Sequence, residues 1–224
     1  VEFEVFEPKA EKDVAAGTVT RAKATCVACG AVLPPQRVRA QLAAERGGAD
    51  VIFDAKSRRT GGARMLAVVT LKPGEQGRHY RPPTERDYQA VCEAQARIAA
   101  ILGEWERGGK QGLCPVPDEP LPRIGTLGFR VQRYGMLQWG DLFTARQKVA
   151  LRTVARAAHD RPQSGDDAIR TTMAMVVGRA ADYGSSIVSW AQSGEFVRST
   201  FGRQALPIVW DFAEASPFGA QVGS

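Results

Sequence analysis

Hydrophobic and acidic residues alternate over residues 1–7, and this period-two pattern predicts a half-buried strand. Three further segments, residues 18–25, 50–55 and 64–70, also have the composition of strands, with glycine-rich turns around them. Residues 38–45 fit a short helix and a strand equally well. The first 80 residues are therefore predicted to be rich in β-structure.

Helical spacing of apolar residues begins after residue 84. Thr84 and Asp87 form a near-match to a capping box, and the apolar stripe that follows predicts a helix up to Arg107. Residues 108–122 are rich in glycine and proline and indicate a connector. Two further helices are predicted over residues 145–160 and 166–183, followed by an element over 196–215 that a proline interrupts. The second half of the chain is therefore predicted to be mainly helical.

Composition places the chain among ordinary globular proteins. It has 224 residues, of which 44% are hydrophobic and 24% are charged, and this length predicts one domain or two small ones. No apolar run approaches the roughly 18–20 residues that span a bilayer. The chain starts at Val1 with no secretory leader, so we expect a cytoplasmic piece of a longer protein and no membrane partner.

The positive charge is concentrated in one stretch. The net charge is +6, and residues 21–64 alone hold nine basic and three acidic residues, which also gives +6. Such a stretch favours contact with nucleic-acid phosphates, and its alternative is an ordinary solvated face. The predicted DNA-binding residues are Arg21, Lys23, Arg37, Arg39, Arg58 and Arg59.

The sharpest local motif is a cysteine pair, Cys26-x-x-Cys29, followed by Gly30. Two thiolates at this spacing can bind one tetrahedral Zn²⁺ from a single tight turn, so Cys26 and Cys29 are the predicted metal ligands. A complete structural site needs four ligands, and the other cysteines, Cys92 and Cys114, have no supporting spacing. A redox pair is the alternative, but the strand-like flanks do not supply the helix N-terminus that would activate a thiol.

Catalytic motifs are not evident. The chain has no G-x-S-x-G, H-E-x-x-H or P-loop pattern, and its two histidines have no motif around them. Arginines and aromatic residues interleave in the C-terminal half, where they could contact phosphates and bases or could simply form core and surface. These residues are Phe129, Arg130, Arg133, Tyr134, Trp139, Phe143, Arg146, Phe196, Arg198, Phe201, Arg203 and Trp210.

Four segments, taken together and in order, resemble a known family. They are PDEPLP at 117–122, YGMLQWGDLFTARQ at 134–147, ADYGSS at 181–186 and TFGRQALPIVWDFAE at 200–214. With the Cys26 knuckle, the 64–70 segment and the YRPPT turn at 80–84, they are similar to the central part of large adenine-specific DNA methylases that contain a zinc ribbon. The resemblance covers nearly the whole chain.

The chain lacks the motifs with which that family binds its cofactor and catalyses methyl transfer. Family members bind S-adenosylmethionine through an acidic, glycine-containing loop and use a D/N-P-P-Y tetrapeptide, and neither is present. The turn from Arg81 to Thr84 lacks the leading acid or amide and the aromatic ring, and Ser216-Pro217-Phe218-Gly219 lacks the second proline. The first cysteine pair of the ribbon is also missing. The resemblance therefore implies S-adenosylmethionine for the parent only and an incomplete zinc site here.

The combined prediction is an α+β fold with a β-rich, zinc-ribbon-like N-terminal module at residues 1–80. A helix and connector follow at 81–122, and a mainly helical region at 123–224 adjoins the missing catalytic half. The predicted function is DNA binding or target recognition within an S-adenosylmethionine-dependent DNA adenine methyltransferase, without catalysis by this chain alone. Its predicted partners are DNA and the remaining catalytic halves of the parent. The alternative is a structural or protein-interaction module stabilised by a metal knuckle.

Overall fold

Four α-helices and four small antiparallel sheets form the part of the chain that the computed structural model describes, residues 3–160 and 167–217. The α+β class is thereby confirmed. The strands are β1 (Val19–Thr20), β2 (Lys23–Thr25), β3 (Val32–Leu33), β4 (Val51–Phe53), β5 (Arg59–Gly62), β6 (Val68–Thr70), β7 (His79–Arg81), β8 (Trp190–Ala191) and β9 (Phe196–Val197). The helices are α1 (Pro35–Ala44), α2 (Glu85–Arg107), α3 (Ala145–His159) and α4 (Asp167–Tyr183).

The first sheet has the order β1-β2-β3, and α1 packs against β2. Arg21 and Ala22 connect β1 to β2 with φ angles of 50° and 66°, as in a two-residue hairpin turn whose twist matches that of its strands. The predicted single strand over 18–25 is therefore two strands with a turn. The cysteine pair lies in the connection from β2 to β3. We call β1, β2, β3 and α1 together the hairpin–helix unit.

The hydrophobic core lies in the second half of the chain and is built largely from irregular segments. Leu142 and Leu206 are completely or almost completely buried, and Leu121, Val131, Met136 and Ile187 belong to the same cluster. Short 3-10 turns at Val131–Tyr134 and Trp139–Leu142 bring several of these residues together. The long helices lie outside this cluster, with α2 packed against α3 and α3 against α4.

Two polar contacts connect the N-terminal part to this core. The Asp50 carboxylate accepts a hydrogen bond of 2.8 Å from the backbone N–H of Ala145, at the start of α3. The Arg46 guanidinium pairs with Asp141 at 2.9 Å. Burial raises the pKa of Asp50 and lowers that of Lys148, so both groups lie in poorly solvated surroundings. The predicted division into three segments stays a prediction, and these contacts cross its boundaries.

Several predicted elements have different bounds. Residues 3–7 of the predicted first strand have no regular structure and are exposed, because no strand pairs with them, while Val1 and Glu2 lie outside the described residues. Only Val68–Thr70 of the 64–70 segment is a strand. Between residues 196 and 215 only β9 is regular, since the chain bends over residues 200–204 and Pro207 cannot donate a backbone hydrogen bond. The ambiguous 38–45 segment is helical, because Pro35 fits the first turn of α1.

The three predicted long helices are confirmed nearly to the residue, although Asp166 lies outside the described part of the chain. The start of α2 shows why. Asp87 accepts hydrogen bonds from the backbone N–H and the hydroxyl of Thr84, both at 2.7 Å, and from the Arg81 guanidinium at 2.7 and 2.9 Å. Arg81 holds the pKa of Asp87 well below its usual range. The capping box predicted from the sequence is therefore present, and Arg81 adds two charge-assisted hydrogen bonds to its Asp87 carboxylate.

Asp87→Asn is expected to lower the free energy of unfolding at pH 7 by about 0.5–2 kcal/mol, the usual cost of losing a helix cap. Because the folded pKa of Asp87 is depressed, its stabilisation is complete above an unfolded pKa of about 4 and is lost as the pH falls through the folded value. Urea unfolding from pH 7 to pH 2 should therefore show the deficit shrinking below pH 4. A constant deficit, or an equal one in the exposed control Asp118→Asn, would contradict this account.

Candidate nucleic-acid interface

The cysteine pair forms a tight turn at the tip of the β2–β3 hairpin. The backbone N–H of Gly30 donates to the carbonyl oxygen of Cys26 at 2.9 Å, and that of Cys26 donates to the carbonyl of Ala31 at 2.9 Å. Gly30 has φ +71°, which glycine adopts without strain. The backbone amides of Cys29 and Ala28 point at the Cys26 sulfur and lower the pKa of its thiol. The turn therefore favours the thiolate form that binds metal.

The described residues fit half of a zinc site. Cys26 is half-buried, Cys29 is exposed, and the amides directed at sulfur suit a bound metal. Within residues 3–160 and 167–217, no group of three or more histidine, cysteine, aspartate or glutamate side chains is placed to hold an ion. Cys26 and Cys29 would hold Zn²⁺ together with ligands from outside this described part, and the metal would then fix the hairpin tip.

Four of the six predicted DNA-binding residues lie on the hairpin–helix unit, and three of them are exposed there. Arg21 is in the β1–β2 turn, Lys23 is on β2 and Arg37 is on α1, and all three are exposed. No aspartate or glutamate occurs between Asp13 and Glu45. Among the residues that the structure describes, none forms an ion pair with these three cations. The unit therefore presents positive charge that no carboxylate in the described part of the chain neutralises.

The other three predicted residues have protein partners. The Arg39 guanidinium is half-buried and lies over the Tyr134 ring, 5.9 Å from its centroid. Arg58 pairs with Asp54 through Nη2 at 2.7 Å and Nε at 2.8 Å. Arg59 donates to the Tyr88 hydroxyl at 2.7 Å. The structure thus separates the predicted set into three exposed cations of the hairpin–helix unit and three arginines with protein contacts, one of which, Arg39, lies on α1 of the same unit.

The interleaved aromatic residues of the C-terminal half belong mostly to the core. Trp139 makes ring contacts with Phe129 and with Phe201, each at a centroid distance of 6.3 Å. Phe129, Trp139 and Phe143 pack against the core cluster, and Tyr134 is buried. Arg146 pairs with Glu214 at 2.8 Å. Of the two sequence interpretations, the structure favours core packing for the four aromatic residues from Phe129 to Phe143, whereas Phe196, Phe201 and Trp210 are exposed.

Sequence reasoning missed a cavity beside the start of α2. It measures about 370 Å³ and is lined by Phe3, Arg59, Arg64, Met65, Leu66, Pro82, Pro83, Glu85 and Tyr88. No sequence pattern indicates it, since Tyr88 fits the apolar stripe of α2 and Phe3 fits the alternation of the predicted first strand. The cavity brings together three parts of the chain that lie far apart in sequence.

Comparisons with protein-family models, with curated proteins and with solved structures gave no match for this chain. The family resemblance drawn from the sequence segments therefore stays a prediction. Within the described ranges, no helix combines the length and the apolar character needed to cross a membrane.

Proposed function

We propose that this chain is a DNA-binding region that contributes to target recognition in an S-adenosylmethionine-dependent DNA adenine methyltransferase of the cytoplasm. The observation that supports it is the un-neutralised positive charge of Arg21, Lys23 and Arg37 on the acid-free hairpin–helix unit. Arginine and lysine side chains in such positions bind phosphate oxygens and release counterions from DNA. The proposal takes the identity of the parent enzyme from the sequence resemblance.

The hairpin–helix unit would bind DNA, and the rest of the chain would hold it in place. Arg39 stacks on Tyr134 and so ties α1 to the second half of the chain. Zinc bound by Cys26 and Cys29, with ligands from elsewhere, would stiffen the β2–β3 hairpin, whose first strand begins at Lys23. The chain alone transfers no methyl group, because the cofactor loop and the D/N-P-P-Y tetrapeptide belong to the remaining catalytic halves of the parent.

Fluorescence anisotropy of a labelled duplex, titrated with the chain over a range of salt concentrations, tests the proposal. Each neutralised phosphate contributes about −0.9 to the slope of log K against log salt. The triple variant Arg21→Ala/Lys23→Ala/Arg37→Ala should therefore reduce the slope by about 2.7 and weaken binding at 50 mM salt by roughly tenfold or more.

A second triple variant controls for net charge. Arg156, Arg170 and Arg179 each pair with a nearby aspartate and lie outside the predicted DNA-binding set, so replacing them by alanine removes the same three charges from sites already neutralised. This control should keep most of the wild-type slope. Equal losses in the two variants would assign binding to overall charge, and binding that is independent of salt would overturn the proposal.

The structural alternative is favoured by one observation, the apolar surface of α4. None of the residues of α4 is buried, and Ile169, Met175 and Val176 are all exposed. On this alternative, α4 packs against the remaining catalytic halves and the knuckle serves only stability. Absence of DNA binding at low salt, together with association of the chain with those halves that Met175→Glu abolishes, would favour it.

A further inference from the structure

A second arginine-rich surface lies in the C-terminal half of the chain. Residues 120–140 and residues 196–210 contain five arginines and no aspartate or glutamate. The fold brings these two acid-free segments side by side, since the backbone N–H of Gly128 donates to the carbonyl oxygen of Gln204 at 3.0 Å. Two segments about 70 residues apart in sequence therefore form one cationic surface.

Three exposed arginines lie where the two segments meet. The backbone N–H of Arg130 donates to the carbonyl of Leu206 at 3.0 Å, and that of Arg133 donates to the carbonyl of Arg130 at 3.1 Å. Arg203 immediately precedes Gln204, so it lies beside the same junction. In the part of the chain that the structure describes, no ion pair involves any of these three guanidinium groups. Their N–H donors are therefore available to an anionic partner.

One carboxylate approaches this surface and is already occupied. Asp182 accepts a hydrogen bond of 2.8 Å from the backbone N–H of Phe201 through Oδ1, and its Oδ2 lies 4.0 Å from Nη1 of Arg179. It therefore leaves the positive charge of the three arginines in place.

Two exposed aromatic rings accompany the arginines. Phe201 is 46% exposed, and its ring contacts Trp139 at a centroid distance of 6.3 Å. Trp210 is 40% exposed, and its ring lies at 87° to that of Tyr134, 5.7 Å away. Each ring is thus anchored by a ring of the protein while part of its surface stays in solvent. We call Arg130, Arg133, Arg203, Phe201 and Trp210 together the arginine–aromatic patch.

The arginine–aromatic patch adjoins the hairpin–helix unit through Tyr134. The ring of Tyr134 contacts Trp210, and the Arg39 guanidinium of α1 lies 5.9 Å from the centroid of the same ring. Tyr134 directly follows Arg133 in sequence. A DNA molecule bound to the hairpin–helix unit can therefore continue onto the patch.

We propose that the arginine–aromatic patch binds single-stranded DNA next to the duplex held by the hairpin–helix unit. Arginines bind the phosphates of a strand, and exposed rings stack on its bases. Because the bases of a duplex are already stacked and paired, an exposed ring selects an unpaired strand. The inference rests on the proposed function and deepens it, since it names DNA with an unpaired segment as the ligand.

Fluorescence anisotropy of a labelled 12-nucleotide thymidine strand, titrated with the chain over salt, tests the inference. Each phosphate contact on a single strand contributes about −0.7 to the slope of log K against log salt. The patch variant Arg130→Ala/Arg133→Ala/Arg203→Ala should therefore reduce this slope by about 2.1 and weaken binding by roughly tenfold. The Arg21→Ala/Lys23→Ala/Arg37→Ala variant removes the same charge and is the matched control. Equal losses in the two variants would overturn the inference.

A strand of the same length with abasic sites tests the stacking on the rings. It keeps the phosphates but lacks the bases, so its binding should be weaker by roughly tenfold. Equal affinity for the two strands would overturn the assigned role of Phe201 and Trp210. Tighter binding of a 12-nucleotide uridine strand would overturn the assignment to DNA.

Variants of Trp210 separate stacking from folding. Trp210→Leu should weaken binding of the thymidine strand by roughly fivefold or more, whereas Trp210→Phe retains a ring and should restore most of the affinity. Phe6→Leu is the control, because Phe6 is an exposed ring outside the patch. All three variants should keep the wild-type temperature of unfolding. Equal binding by Trp210→Leu and Trp210→Phe would show that the ring is not stacked on a base.

A duplex with a single-stranded tail separates this inference from the proposed function. The tailed duplex should bind more tightly than either the plain duplex or the single strand, because it contacts both surfaces. The patch variant should lose the advantage of the tail and keep binding of the plain duplex. Duplex binding without single-strand binding would defeat the patch inference alone, whereas single-strand binding without duplex binding would defeat the proposed function alone.

Discussion

Replacing Gly135 by alanine is expected to lower the free energy of unfolding by about 2–5 kcal/mol, because the backbone conformation and the close contact both resist a side chain. Gly135 has φ +90°, and a Cβ at this position would lie 2.5 Å from Cα of Ala43 and 2.7 Å from its carbonyl oxygen. Neither atom belongs to a flexible side chain that could move aside. The substitution therefore pushes α1 away from the 3-10 turn at Val131–Tyr134.

Urea denaturation followed by circular dichroism measures this effect, and Gly178→Ala is the matched control. Gly178 lies inside α4, and a Cβ there would meet nothing within 4 Å. The control should leave the chain equally stable or stabilise it by about 0.5–1 kcal/mol, since alanine is the better helix former. If Gly135→Ala had the same midpoint as the control, α1 could not be packed against the second half of the chain as described.

The long helices could be predicted because their signals are local. Thr84 with Asp87, and Thr144 with Gln147, mark the starts of α2 and α3 within four residues of sequence. Glycine at 108 marks the end of α2 in the same way. Interactions over such short distances form in the folded protein much as the sequence alone suggests.

The core could not be predicted, because it is formed by segments in which hydrophobic residues do not recur at a regular spacing. The six buried residues of the core cluster run from Leu121 to Leu206 and come from 3-10 turns and loops. Neither helical nor strand spacing marks such residues. The predicted strand over residues 1–7 failed for the opposite reason. Its alternation is regular, but no neighbouring strand pairs with its described part.

The contacts of the candidate site are of two kinds. Some join residues close together in the sequence and could be predicted, and others join residues far apart and could not. The spacing of Cys26 and Cys29 determines their turn, and the pairing of Arg58 with Asp54 spans only four residues. By contrast, the contact of Arg59 with Tyr88 spans 29 residues. The basic stretch can therefore be recognised from the charges in the sequence. Which of its arginines are exposed without an ion-pair partner is known only from the structure.

Leu142→Ala is the second substitution with a large expected effect. Leu142 is completely buried, so the loss of its side chain should cost about 2–5 kcal/mol through lost burial and the cavity that remains. Its carbonyl oxygen accepts hydrogen bonds from the backbone N–H and the hydroxyl of Ser186, at 2.7 and 2.8 Å. These bonds involve the backbone, so the variant isolates the packing contribution. Urea unfolding at pH 7 is the measurement.

Leu127→Ala removes the same atoms from a leucine that is 59% exposed, and should change stability by no more than about 0.5 kcal/mol. Comparable losses of stability in the two variants would mean that Leu142 is not part of the hydrophobic core.

The Leu142→Ala variant also separates the effect on stability from the effect on DNA binding. Below its own unfolding transition, Leu142→Ala should bind duplex DNA with the wild-type salt slope, because Arg21, Lys23 and Arg37 are exposed and are not part of the core cluster. A reduced slope in Leu142→Ala would mean that DNA also contacts the second half of the chain.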